Sequence, residues 1–592
     1  MPGVEGHDTV KTMDRQTKLV LALIVLFGAF LRFYALDRIP PGIYPDEAIK
    51  GVEGLEAVET GNFKLFYETN NGREGLWINL IGLAVKTFGV NQFSLRFFSA
   101  LFGTLTVLGI FFLTKELFRT REQRETGDSQ SLRNTNTYEL TNDKPKGYSY
   151  IRGNSYFVKQ GERIALLAAF FLATSFWHLN FSRIAFRAIM VPLLMVWSFY
   201  FLLLAWRATH AWRSTIFAIL GGSLFGLGFH TYIAFRFAPF VGLALFAVEY
   251  LRIRKAHISF RPFFTRTAWW LGAAFLAALP IGLYFYLHPQ DFIGRAGGVS
   301  IFATESPIRT FGKVLIQTLG MFNVRGDCNW RHNMACSPQL LFPVGIFFLV
   351  GLWILFRNIL QKAISPDAKS GPRLPYEEHL ERRGYNLKAI SWFLLAWFGF
   401  LLAPELLTWE GIPHALRSIG VIPPVLMLAA LGANAAYSAL SHKFFWRALF
   451  VGVIAAVAII EPYRYFGTWA HHINTPYAFS KPYVEIGRYL NSLPSSTPKY
   501  VIVNAYGTLI PHKNPDGKEK LIPMPAQTVM YVTLKQAPIT YLLPEEIAQY
   551  AFPAGSVIAP LEKDEKLFEN LRKRGIDVSV LKFQYFEVGI VE

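Results

Sequence analysis

Over the first 460 residues, long apolar runs alternate with polar gaps that hold most of the cations. The runs are Leu19–Leu36, Leu95–Phe118, Ile164–Asn180, Ala188–Ala205, Thr215–Phe229, Ile233–Leu251, Thr267–Leu287, Leu340–Phe356, Ala389–Leu407, Ile419–Tyr437 and Phe444–Ile460. Most have roughly the 17–25 residues that cross a bilayer as helix. The pattern therefore predicts eleven spanning helices. Between the first two, Arg73–Phe88 places Trp77, Leu80, Ile81, Ala84, Val85 and Phe88 on one helical face, as expected of a helix lying in the membrane interface. Asp46–Thr60 is a second, weaker candidate of the same kind. From residue 466 the pattern changes. Pro482–Leu493 reads as helix, Tyr500–Ala505 alternates like a strand, and Thr528–Val532 and Ile539–Leu542 resemble further strands. The expected architecture is an α-helical polytopic membrane domain over residues 1–465, followed by a small α/β domain over 466–592.

Composition agrees. The 592 residues are 52% hydrophobic and 17% charged, against about 25% charge in a typical soluble domain. The net charge of +18 admits nucleic acid or membrane as partner. The cations sit in the gaps between apolar runs, and no basic groove interleaved with aromatic residues is evident, so membrane lipids are expected and nucleic acid is not. Placing Lys11, Arg15 and Lys18 in the cytoplasm puts the gaps 119–163, 206–213, 252–266, 357–388 and 438–447 there too, with 25 Lys and Arg between them. The first outer loop, 37–94, holds 5 Lys and Arg against 8 Asp and Glu. This asymmetry follows the positive-inside rule, and an odd helix count puts the C-terminal domain outside. The first apolar run continues to Arg32, Tyr34 and Asp37 without a small-x-small cleavage site, so it reads as a retained helix. Segment 120–160, rich in Ser, Thr, Asn and charge, reads as a flexible cytoplasmic insertion.

The candidate chemistry lies at the outer helix ends. Tyr44-Pro45-Asp46-Glu47-Ala48 is a carboxylate pair just beyond the first helix. A carboxylate there can take a proton from an acceptor hydroxyl; the same acids also suit a helix N-terminus. Arg73, Arg96, Arg183, Arg187, Arg236, Arg295, Arg331, His414 and Arg417 lie on the outer side. Arginine suits bidentate phosphate binding, and the alternative for each is snorkelling or pairing with an acid. Glu405, after Pro404, is either a second acid or a partner for Arg417. His230-Thr231-Tyr232 and Trp330-Arg331-His332-Asn333 offer contacts for sugar hydroxyls, although aromatic residues are common at membrane interfaces. Cys328 and Cys336 share one outer loop, where a disulfide and two free thiols are both open.

These blocks resemble the GT-C glycosyltransferases, specifically bacterial relatives of protein O-mannosyltransferases and of the aminoarabinose transferase ArnT. The resemblance rests on the outer acid pair followed by NGREGLWINLIGLAVKTFGVNQFSLRFFSALFGTLTV, and on SFWHLNFSRIAFRAIMVPLL, FHTYIAFRFAP, GDCNWRHN and PHALRSIGVIPP, over roughly residues 19–440. It implies Asp46 and Glu47 as the catalytic pair, with Asp46 the base or the group that positions the acceptor. It implies Arg73 and Arg96 at the phosphate of a polyprenyl-phosphate sugar, and we expect Arg236 and Arg417 beside them. Transfer would go, with inversion, to a protein, lipid or glycan hydroxyl. Several relatives carry another acid where Ala188 stands here, so no essential metal and no cofactor beyond the donor is expected. The rival class is a transporter or flippase. Such proteins often show inverted repeats and mid-membrane ionisable groups; here repeats are not evident and the ionisable groups lie mostly at outer helix ends.

Overall fold

A computed structural model describes residues 13–119, 148–256, 258–294, 298–361, 385–440, 444–536 and 538–592. Arg295 and most of the 119–163 insertion lie outside the described residues. Among the described residues, nine helices are long and apolar enough to cross a membrane: Arg15–Phe33, Gln92–Leu117, Arg187–Arg207, Ile233–Lys255, Arg261–Leu287, Phe342–Leu360, Leu387–Leu406, Ile419–Leu440 and Phe444–Trp469. The chain is a multi-pass membrane protein. Two expected spans differ from these. Ile164–Asn180 is broken: its helix ends at Thr174, and Ser175, whose hydroxyl accepts the His178 N–H, starts the separate short helix Phe176–Phe181. Thr215–Phe229 corresponds to the 17-residue helix Ala211–Leu227, packed against Met190–Arg207 and Arg261–Leu287.

Burial varies around the bundle. Ile419–Leu440 is enclosed along almost its whole length, whereas Phe444–Trp469 and Arg261–Leu287 turn most of their apolar surface outward. Leu276, Leu287 and Ile459 are among the exposed side chains. In water so much contiguous apolar surface would be unfavourable; against lipid it is not.

The loop between the first two spans is folded. We label Arg15–Phe33 α1, Pro45–Thr60 α2, Gly75–Phe88 α3 and Gln92–Leu117 α4. Pro45 supplies the fixed φ suited to a first helical position, and Glu47 accepts the Tyr44 N–H at 3.2 Å, so α2 begins where its acids lie. Gly61, at φ +73°, ends it. α2 and α3 cross closely at Gly54 and Gly82. A Cβ on Gly54 would lie 2.4 Å from the Ile78 carbonyl oxygen, and one on Gly82 would lie 2.0 Å from that of Gly54. A two-residue hairpin, β1 (Phe66–Tyr67) with β2 (Arg73–Glu74), joins them and sets Arg73 and Glu74 beside α2.

The C-terminal region carries a five-stranded sheet in the order β6 (Thr540–Leu542), β3 (Lys499–Ile502), β7 (Val557–Pro560), β9 (Glu587–Val591), β8 (Val578–Lys582). β6, β3 and β7 run parallel, and β9 and β8 are antiparallel additions. A separate hairpin pairs β4 (Leu509–Lys513) with β5 (Glu519–Pro523). The helix Lys481–Ser492 and strands β3 and β6 fall where the sequence places them. Thr528–Val532, read as a strand, belongs to the helix Ala526–Val532. Packing on α2 and on Lys481–Ser492 overrides its β-branched composition. From this helix Thr528 donates to the Ile43 carbonyl at 3.0 Å and Tyr531 to that of Asn91 at 2.9 Å, so the C-terminal region grips both ends of the first loop.

Candidate active site

At the end of the bundle that bears α2 and α3 lies a cavity of about 880 Å³. Its wall draws on α2, β2, the segments that begin the spans at Arg187 and Ile233, the Cys328–Cys336 loop and the segment 404–417. These elements are far apart in sequence, and the cavity is where they meet.

Consecutive residues on a helix point about 100° apart, and this divides the acid pair. Asp46 is half-buried, lines the cavity and accepts a hydrogen bond from the Asn70 side chain at 2.6 Å. Glu47 turns inward and is fully buried. It receives Arg96 through two bonds of 3.1 Å, the Ala185 N–H at 2.9 Å and the Tyr44 N–H. Arg96, equally buried, also donates to the carbonyls of Pro40 and Gly42. The expectations of a catalytic Glu47 and a phosphate-binding Arg96 are therefore corrected: the two saturate each other beneath α2, away from the cavity wall. Arg183 has a similar structural part, donating to the carbonyls of Leu31, Arg32, Tyr34 and Ile39 at the end of α1.

The cations that do line the cavity fall into two groups. Arg73 is buried, paired with Glu53 at 2.6 Å and bonded to Thr69; burial lowers its pKa. Arg187 pairs with Glu74 at 3.1 Å and sits over the Tyr232 ring, while Arg417 pairs with Glu410 at 3.6 Å. Lys50, Arg236 and Arg331 line the wall without a carboxylate ion pair among the described residues. Arg236 is held by the Phe292 carbonyl and ring. Arg331 stacks on Tyr44 at 3.9 Å. Burial and the neighbouring Asp46 raise the pKa of the Tyr44 hydroxyl, so it stays protonated.

Cys328 and Cys336 form a disulfide that closes the loop carrying Arg331. Within it Asn333 is buried and donates to the Asp327 and Ser337 carbonyls, which makes it a loop brace rather than a sugar contact. His332 and His414 reach the cavity with ring centres 4.7 Å apart. Burial, reinforced by His332, Arg417 and Arg331, keeps His414 neutral. Two further expectations change. His230 faces away, bonding the Ala277 carbonyl at 2.9 Å. Glu405 is buried off the wall and accepts the His414 N–H at 2.7 Å, leaving Arg417 to Glu410. Tyr44, Asp46, Arg73, Tyr232, Arg236, Arg331, His332, His414 and Arg417 are brought together as expected.

By residue type, Asp327, His332 and His414 form a metal-ligand group among the described residues. The fit is poor. Asp327 already accepts the His332 ring at 2.9 Å, the Ala415 N–H at 2.8 Å and the Asn329 N–H at 2.7 Å, and Arg331 and Arg417 flank His414. The arrangement is that of a carboxylate orienting a histidine.

Lys50, Asn70 and Asp327 were not singled out from the sequence. Lys50 carries a readable signal, since it lies one helical turn beyond Asp46.

No family model and no curated protein matches the chain. Among solved structures it is similar to that of ArnT from Cupriavidus metallidurans bound to undecaprenyl phosphate, with a TM-score of 0.53 and 12% identity over 96% of this chain and 97% of that one. Its likeness to the apo state of the same protein has a TM-score of 0.51 and 11% identity, over 97% and 98%. The likeness is one of fold, extending over nearly the whole length of both chains.

Proposed function

We propose that the protein is a membrane glycosyltransferase that moves a sugar from a polyprenyl-phosphate carrier to an acceptor hydroxyl. One observation carries the reading: among the described residues, Asp46 is free of any ion pair and faces the same cavity as Arg236 and Arg331, which have no carboxylate partner there. A base and an anion-binding cation are the two groups that displacement at an anomeric carbon requires. The similar ArnT structure contains undecaprenyl phosphate, which supports this class of donor.

In the proposed step the acceptor hydroxyl attacks the anomeric carbon and gives its proton to Asp46. The bond from that carbon to the phosphate oxygen breaks, and its electron pair leaves with the lipid phosphate. The configuration inverts. Arg331 and Arg236 stabilise the departing charge, while Arg73 and Arg187, already compensated, shape the wall. Asn70 orients Asp46. The step uses no metal; Asp327, the carboxylate of the group it forms with His332 and His414, already accepts hydrogen bonds on both oxygens. The excess of Lys and Arg in alternate loops supports a cytoplasmic N-terminus, with the cavity and residues 466–592 outside. The acceptor is a protein, lipid or glycan hydroxyl.

The test supplies purified protein and a membrane extract as acceptor with a panel of labelled polyprenyl-phosphate sugars, and follows release of free lipid phosphate. Release from at least one donor is expected. Silence across the panel from folded protein overturns the reading and leaves a transporter as the better account.

A further inference from the structure

We propose that Lys50 is a catalytic residue of this site, the cation that meets the phosphate of the donor and holds it as it leaves. The inference rests on the transferase reading and adds a group to it.

The geometry is specific. Lys50 is 4% exposed, yet it lines the cavity. An ammonium has three N–H donors. In Lys50 one is used, on the Ala185 carbonyl at 2.9 Å, and the Phe186 ring lies 5.2 Å away. Among the described residues the remaining donors have no hydrogen-bond partner. A buried cation with unused donors is costly unless a ligand completes it, and a phosphate would do so. The paired Arg73 and Arg187 differ, since Glu53 and Glu74 already neutralise them.

Position strengthens the case. Residues four apart on a helix have Cβ atoms about 5–6 Å apart on one face. α2 thus presents the short acid Asp46 and the long cation Lys50 side by side to one cavity. In an inverting displacement the attacking and leaving oxygens lie on opposite sides of the reacting carbon. One rigid helix would then serve both, Asp46 taking the acceptor proton and Lys50 donating hydrogen bonds to the phosphate oxygen that receives the electron pair.

The charged groups that act on Lys50 are Asp46 and Glu47 on its own helix, Arg73 from β2 and Arg187 from the start of the neighbouring span. Burial first, then the two arginines, lower its pKa to about 7, against the opposing pull of the two acids. An anion bound to it favours the charged form. Binding therefore takes up a proton above pH 7, and affinity falls as pH rises through that range, by up to about tenfold per pH unit. A phosphomonoester has its own ionisation near pH 6, so the informative quantity is the ratio to a variant whose cation does not titrate.

The experiment measures dissociation constants for undecaprenyl phosphate in wild type, Lys50→Arg and Lys50→Met from pH 6 to 9, with thermal unfolding of each. For Lys50→Met, binding is expected to weaken roughly 10- to 100-fold at pH 6. Lys50→Arg should keep its affinity, and the ratio of wild type to Lys50→Arg should decline above pH 7. Wild-type affinity in folded Lys50→Met, or an identical pH course in wild type and Lys50→Arg, overturns the inference alone. Absence of any binding by wild type overturns it together with the transferase reading. A Lys50→Met that fails to fold leaves the pH ratio to decide.

Discussion

Asp46 and Glu47 are neighbours of one chemical type on one helix, and they differ in every physical respect. Glu47 is enclosed and receives an arginine and two backbone N–H groups. Asp46 faces a cavity with only neutral partners among the described residues, the Asn70 amide and the Tyr44 hydroxyl. A carboxylate whose acceptor sites are filled has nothing left to offer a substrate, whereas one half-exposed and orientated by a neutral donor can take a proton. The same contrast separates Arg96, saturated beneath α2, from Arg331, which stacks on Tyr44 and lines the cavity. A site residue is thus distinguished by what it lacks.

The contrast breaks most visibly on the saturated side. Glu47→Ala leaves Arg96 buried and unpaired, and such a loss costs about 3–5 kcal/mol. Thermal unfolding should show a large fall or no folded protein; a wild-type midpoint would mean that the pair is not structural. Replacing both Cys328 and Cys336 by Ser should cost about 2–3 kcal/mol, as for a disulfide closing so short a loop. It should also raise KM for the donor, because Arg331 and His332 lose their fixed loop. An unchanged KM would separate the loop from the site. On the open side, Arg331→Ala should raise donor KM roughly 10- to 100-fold with a nearly unchanged unfolding midpoint. A loss of stability without a change in KM would move Arg331 into the structural class. The smallest effect is expected at Tyr531→Phe, where the bond to the Asn91 carbonyl is lost. It should lower stability by about 1 kcal/mol and leave kcat within a few-fold. A collapse of kcat there would show that the C-terminal region sets the geometry of α2.

Much of this was legible in the sequence, for physical reasons. Apolar runs of bilayer length and the bias of Lys and Arg between loops mark the spans, because lipid admits little else. The apolar face of Gly75–Phe88 and the proline before Asp46 announce α3 and α2. What sequence adjacency could not tell was which acid points where. Counting helical angles from Asp46 separates it from Glu47 and joins it to Lys50, provided that α2 is known to begin at Pro45. Partners contributed from far along the chain left no such trace. Glu47 bonds Ala185, His230 bonds Ala277 and Glu405 bonds His414, and each pairing exists only once the bundle is assembled. The helix Ala526–Val532 was hidden for the same reason, since its packing against α2 outweighs its β-branched residues.

The most direct test of the central claim is turnover of a labelled polyprenyl-phosphate sugar by Asp46→Asn beside wild type, with the unfolding midpoint of both. Asparagine keeps the shape and the contact with Asn70 but cannot take a proton. The account predicts a fall in kcat of about 10²–10⁴-fold at an unchanged midpoint. Wild-type turnover by folded Asp46→Asn would contradict it.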